Sequence, residues 1–69
     1  MEDLDLEKRF TYHKPKEDQA KRYEAIRNTA LRFANFLNLE CPDSREKSLA
    51  ITKLEEAVMW ANASIARNE

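Results

Sequence analysis

Between Lys16 and Asn38, apolar residues recur at Ala20, Tyr23, Ile26, Ala30, Phe33, Ala34 and Leu37. Steps of three and four put them on one side of a helix, so the segment is expected to be amphipathic and helical. Glu17 and Asp18 fall in its expected first turn, where carboxylates complement the helix dipole. The run NLECPD ends the pattern, since the residue before Pro42 is biased away from helix. Asp43 is a natural N-cap, and Glu46 three residues later gives the spacing of a capping box. A second helix is expected over 44–67. Both helices are a little over 20 residues and are joined by a short linker, which makes an antiparallel hairpin. Residues 1–15 form an N-terminal arm in which LDLEKRF has helical potential and TYHKP is extended before Pro15.

The second helix carries more apolar surface than a hairpin can cover. One stripe (Ile51, Leu54, Val58, Ala61, Ile65) faces the first helix, and a second (Leu49, Ala50, Ala57, Trp60, Ala63) is left bare. Within it, the stretch AVMWANASIA at 57–66 holds no charged residue, although 36% of the chain is charged. A helix apolar on every side must be covered on every side, and a bare stripe bearing the only Trp marks an association surface. Ala57, Ala61, Ala63 and Ala66 permit close approach of another helix. The expected occupant is a second copy of the same hairpin, with Trp60, Ala57, Ala61 and Ala63 at the interface; a different protein is the alternative.

Length sharpens that expectation. A 69-residue chain is one domain at most and has little core of its own. Cys41 is the sole cysteine and His13 the sole histidine, so neither an intrachain disulfide nor a tetrahedral zinc site is available. Association is the staple that remains, and the fold class expected is an all-α hairpin assembled into a homo-oligomeric bundle. With no long apolar run and no signal-peptide pattern, the chain reads as soluble and cytosolic with a reduced Cys41 and no membrane partner.

The net charge of −1 argues against DNA binding. Its distribution is uneven. MEDLDLE is acidic, while KRFTYHKPK interleaves Lys8, Arg9, Lys14 and Lys16 with Phe10, Tyr12 and His13. Cations alternating with rings suit an anion that carries flat bases; equally, the acidic arm could simply neutralise the basic segment. The absence of glycine excludes a P-loop or dinucleotide fingerprint. Any phosphate must be met by side chains or a helix N-terminus.

Chemistry is poorly provided for. His13 and Cys41 lie in different linkers, and Glu55 and Glu56 point to different helix faces, so no catalytic couple, metal site or cofactor is expected. Two arginines stand out instead. Arg27 borders the apolar stripe of the first helix, with Thr29 nearby, and Arg67 closes the uncharged run. The ordinary roles are a snorkelling side chain or interhelical salt bridge for Arg27, and a helix C-terminal charge for Arg67.

FTYHKP at 10–15, RYEAIR at 22–27 and CPDSREKSLAITKLEEAVMWANASIAR at 41–67 resemble the phage anti-CBASS sponge proteins, whose hairpin domain also occurs in anti-Thoeris sponges. The resemblance implies a non-enzymatic protein that sequesters cyclic oligonucleotide immune signals in the cytoplasm of the infected bacterium. It also implies a homohexamer built as a trimer of dimers. Cyclic dinucleotides such as 3′,3′-cyclic GMP–AMP would bind between protomers, and cyclic trinucleotides in separate pockets. Carried over by position, Tyr12 would stack on a base and Arg27, where the family often has Lys, would contact phosphate. Thr29 and Arg67 would line the trinucleotide pockets. His13 and Lys14 join the candidate ligand residues as neighbours of Tyr12. A helical interaction module acting on a host protein is the alternative function.

Overall fold

The computed structural model describes residues 3–69, with side chains from residue 6 onward. Three helices follow in order: α1 (Asp3–Phe10), α2 (Gln19–Glu40) and α3 (Arg45–Asn68). No strand occurs among the described residues. The acidic side chains of the first five residues, and with them the neutralising role open to the N-terminal arm, lie outside the described part.

The last turn of α1 carries Lys8 and Arg9, cations suited to a helix C-terminus. His13 folds back on it, its Nε2–H donating to the Lys8 carbonyl at 2.9 Å, which satisfies an otherwise orphaned acceptor of the last turn.

The start of α2 departs from the expected pattern. The helix begins at Gln19, so Glu17 and Asp18 lie in the turn before it and no acid occupies the first turn. Gln19 closes that turn from both sides. Its N–H donates to the Lys16 carbonyl at 2.8 Å, and its side-chain oxygen accepts from the Lys16 N–H at 2.9 Å. The closure holds Glu17 in the left-handed region at φ 43°, a conformation that costs a non-glycine residue roughly 1–2 kcal/mol. Gln19, the one fully buried residue described, at 5% exposure, also bonds α3. That long-range anchor outweighs the local dipole preference.

Helix α2 runs to Glu40 and stops at Cys41, extended at φ −99°, ψ 137° ahead of Pro42. The cap of α3 falls on Ser44 rather than Asp43, because Ser44 has extended backbone and its Oγ accepts from the Lys47 N–H at 3.1 Å. Asp43 instead receives the Lys47 ammonium at 2.8 Å. The same ammonium donates to the Asn38 carbonyl at 2.9 Å, fastening the end of α2 to the start of α3.

The two long helices pack as a hairpin. Ile51, Leu54, Val58, Ala61 and Ile65 are half-buried against Tyr23, Ile26, Ala30, Ala34 and Leu37; Ala20 and Phe33, expected in the same stripe, remain exposed. Across the hairpin, Leu49, Ala50, Ala57 and Trp60 stay exposed and Ala63 is half-buried. Trp60 is 63% exposed and Leu39 84%. No apolar side chain among the described residues is fully buried.

The dimensions explain why. The trace measures 45 × 30 × 13 Å, thin in one direction because α2 and α3 lie side by side. The radius of gyration is 15.2 Å, where a compact 69-residue domain would have about 11 Å. Its surface of 5,885 Å² exceeds by about 1,400 Å² what a compact monomer of its mass would show. The hairpin is a single layer, and a stable domain needs two.

Candidate functional site

Three elements meet at the end of the hairpin where α3 finishes. The chain after α1 contributes Tyr12 and His13, α2 contributes Tyr23 and Arg27, and α3 contributes Asn62, Ala63, Ala66 and Arg67. Together with Arg9 and Thr11 they line a groove of about 350 Å³. The alanines of α3, read from sequence as sites of close helix approach, here supply the room.

The electrostatics of this groove differ from those of the chain as a whole. The protein has 13 acidic residues against 12 basic ones, yet the groove is lined by three arginines and no carboxylate. Neither Arg27 nor Arg67 makes an ion pair or hydrogen bond among the described residues. Arg27 is therefore not spent on an interhelical salt bridge. Tyr12 is 82% exposed, leaving its ring face open to stacking. Fixed charge beside a bare ring and hydroxyls has the chemistry that suits an anion bearing flat groups.

An ion-pair clamp holds the α3 side of this groove. Both guanidinium nitrogens of Arg22 donate to the Glu69 carboxylate, at 2.8 and 3.0 Å. Gln19 adds a third bond at 3.1 Å, and the Lys16 ammonium reaches the Glu69 carbonyl at 3.3 Å. These bonds hold the Glu69 carboxyl below its ordinary pKa, Arg22 first and Gln19 next, and raise that of Arg22 in turn. The clamp ties the last turn of α3, which bears Ala66 and Arg67, to the first turn of α2, next to Tyr23. Sequence alone gave no signal for a pairing 47 residues apart.

The groove thus brings together Tyr12, His13, Arg27 and Arg67. Lys14 is exposed and outside the lining, and Thr29 lies elsewhere. Thr29 lines an apolar groove of about 490 Å³ between α2 and α3, beside Ile26, Phe33, Ala57 and Ala61. Its Oγ1 accepts from Arg32 at 3.4 Å, a cation the spacing argument did not single out. Asn62 and Tyr23 were also missed as lining residues, though Asn62 was visible as a polar interruption in the uncharged run. His13 and Cys41 are far apart: Cys41 caps α2 about 27 Å along the helix from Tyr23, which shares the groove with His13. No group of His, Cys, Asp or Glu with metal-holding geometry occurs among the described residues. No described helix is long and apolar enough to cross a membrane.

The chain is thus a flat helical hairpin with a cationic, tyrosine-bearing groove at one end. The family model described as the Acb2/Tad1 hairpin domain matches residues 2–66, and the chain belongs to that family of anti-CBASS and anti-Thoeris sponges. The family consists of binding domains for cyclic nucleotide signals and is not known as enzymatic. No curated protein and no solved structure matches the chain.

Proposed function

We propose that this protein is a phage sponge that sequesters cyclic di- and trinucleotide immune signals, such as 3′,3′-cyclic GMP–AMP, without cleaving them. It acts in the cytoplasm of the infected bacterium and starves CBASS effectors of their activator. The observation that carries this reading is the meeting of Tyr12 and an unpaired Arg27 in one carboxylate-free groove, in a chain of the sponge family.

The active form is a homohexamer, a trimer of dimers. The single-layer hairpin supports this, because its surplus of about 1,400 Å² exceeds the roughly 800 Å² per partner of one standard interface. Ala57, Trp60, Ala61 and Ala63 lie in those contacts. A two-fold dimer presents each residue twice, matching the two bases and two phosphates of a cyclic dinucleotide. Tyr12 stacks on a base and Arg27 meets a phosphate, with His13 and Lys14 beside them. Stacking contributes roughly 1–3 kcal/mol per base and each charge-assisted hydrogen bond roughly 1.5–3 kcal/mol. Two of each, less the cost of association, reach nanomolar affinity.

Thr29 and Arg67 line different grooves of one protomer, so a trinucleotide pocket that uses both takes them from different copies. Calorimetry with 3′,3′-cyclic GMP–AMP tests the assignment. Arg27→Ala is expected to weaken binding at least tenfold with the oligomer intact, and normal binding by that variant would remove Arg27 from the site. A chain that bound no cyclic nucleotide yet captured a host protein on its bare α3 stripe would be an interaction module instead.

A further inference from the structure

The side-chain oxygen of Asn62 is sealed from solvent and has no hydrogen-bond partner among the described residues. An amide acceptor left unmade in this way is costly, and Asn62 sits in a stretch otherwise built of apolar and small residues. A purely structural position facing the hairpin would be filled by alanine or leucine. Asn62 also has a particular place. Together with Arg27 it lines both the arginine groove and a further groove of about 480 Å³ beside Leu31, Ile51 and Met59, so the two residues stand where these grooves join.

The ligand that would satisfy Asn62 is chemically restricted. Arg27 and Arg67 can only donate hydrogen bonds, and phosphate oxygens meet that need. A phosphate diester carries no N–H, so it cannot satisfy a waiting acceptor oxygen. A ribose 2′-hydroxyl or a nucleobase with an exocyclic amine can, and only the base also offers a second point of contact on its edge. An asparagine amide pairs in two-point fashion with adenine, its oxygen accepting from N6–H and its Nδ2–H donating to N7, whereas the same edge of guanine presents two acceptors. No bond among the described residues fixes the Asn62 amide, and its terminal torsion is broad, so it can turn into the groove when a base arrives.

We propose that Asn62 is a specificity-determining residue of this groove and reads the adenine edge of a bound cyclic nucleotide. This rests on the sponge reading above and adds to it a preference among bases. The unsatisfied amide is retained because the ligand completes it.

The test is calorimetry of the full chain with cyclic di-AMP and cyclic di-GMP, alongside thermal melting. Asn62→Ala introduces the strongest helix former, and Asn62→Leu keeps the volume while removing the amide. Both are expected to weaken cyclic di-AMP binding roughly tenfold or more, to weaken cyclic di-GMP binding markedly less, and not to lower the melting temperature. Restored cyclic di-AMP binding in Asn62→Leu would show that the site needs only bulk, and would overturn the proposal. Unchanged cyclic di-AMP binding in both variants would also overturn it. Arg27→Ala, measured in parallel, separates the two readings: if it loses binding while the Asn62 variants do not, the groove stands and the base-reading role falls. If the native chain binds neither nucleotide, both fall.

Discussion

Replacing Trp60 with aspartate perturbs the largest side chain that α3 presents to solvent from its uncharged stretch. Trp60 is 63% exposed, which for a side chain that buries up to about 250 Å² leaves about 160 Å² bare. Covering that area contributes about 4 kcal/mol per copy at 25 cal/mol per Å², an upper estimate. A two-fold contact counts the residue twice, and aspartate adds a carboxylate to a surface that must lose its water. Even one copy's share corresponds to about a thousandfold in a dissociation constant. Sedimentation velocity over a dilution series reads the outcome directly. The native chain is expected to hold a discrete oligomeric mass, and Trp60→Asp to sediment as smaller species at the same concentrations. Helical content by circular dichroism serves as the control for folding. A Trp60→Asp chain that kept the native mass throughout the series would refute the reasoning, since the stripe would then lie outside every contact.

Other substitutions test local features. Ser44→Ala removes the oxygen that caps α3 and is expected to cost about 1 kcal/mol in urea unfolding. Asp43→Ala removes only the fully exposed partner of the Lys47 ion pair and should cost less; the reverse order would return the cap to Asp43. The clamp at Glu69 makes a pH prediction. Because its pKa is lowered in the folded chain, its contribution is complete above the unfolded value near 4.5 and is lost as pH falls through the lower folded value. Arg22 stays charged across that range. Glu69→Gln should therefore melt below the native chain at pH 7 and approach it at pH 3, and a gap independent of pH would contradict the clamp.

The hairpin was legible because apolar spacing over two long segments is a redundant signal, and a single substitution does not erase it. Its ends were less so. Glu17 and Asp18 carry favourable dipole positions, but Gln19 is drawn into a bond with Glu69, and no local rule contains a partner 50 residues away. The cap moved by one residue because Lys47 engages Asp43 from one side while its own N–H takes Ser44; either oxygen would suit the spacing. In the groove, Tyr12 stood out among rings interleaved with cations and Arg27 at the edge of an apolar stripe, while their ligand roles came through family resemblance. Tyr23 was read as core because a tyrosine at helical spacing serves both purposes. Thr29 and Arg67, paired by that same resemblance, face different grooves, a separation that periodicity foreshadows only once the hairpin's two sides are assigned.

The central claim is that the protein holds a cyclic nucleotide and leaves it whole. Mix 3′,3′-cyclic GMP–AMP with an excess of the purified chain, measure the free nucleotide, then denature the protein and chromatograph what is released. The account predicts that the free signal disappears on mixing and returns unaltered on denaturation. A signal that stays free throughout, or that returns as linear product, would contradict it.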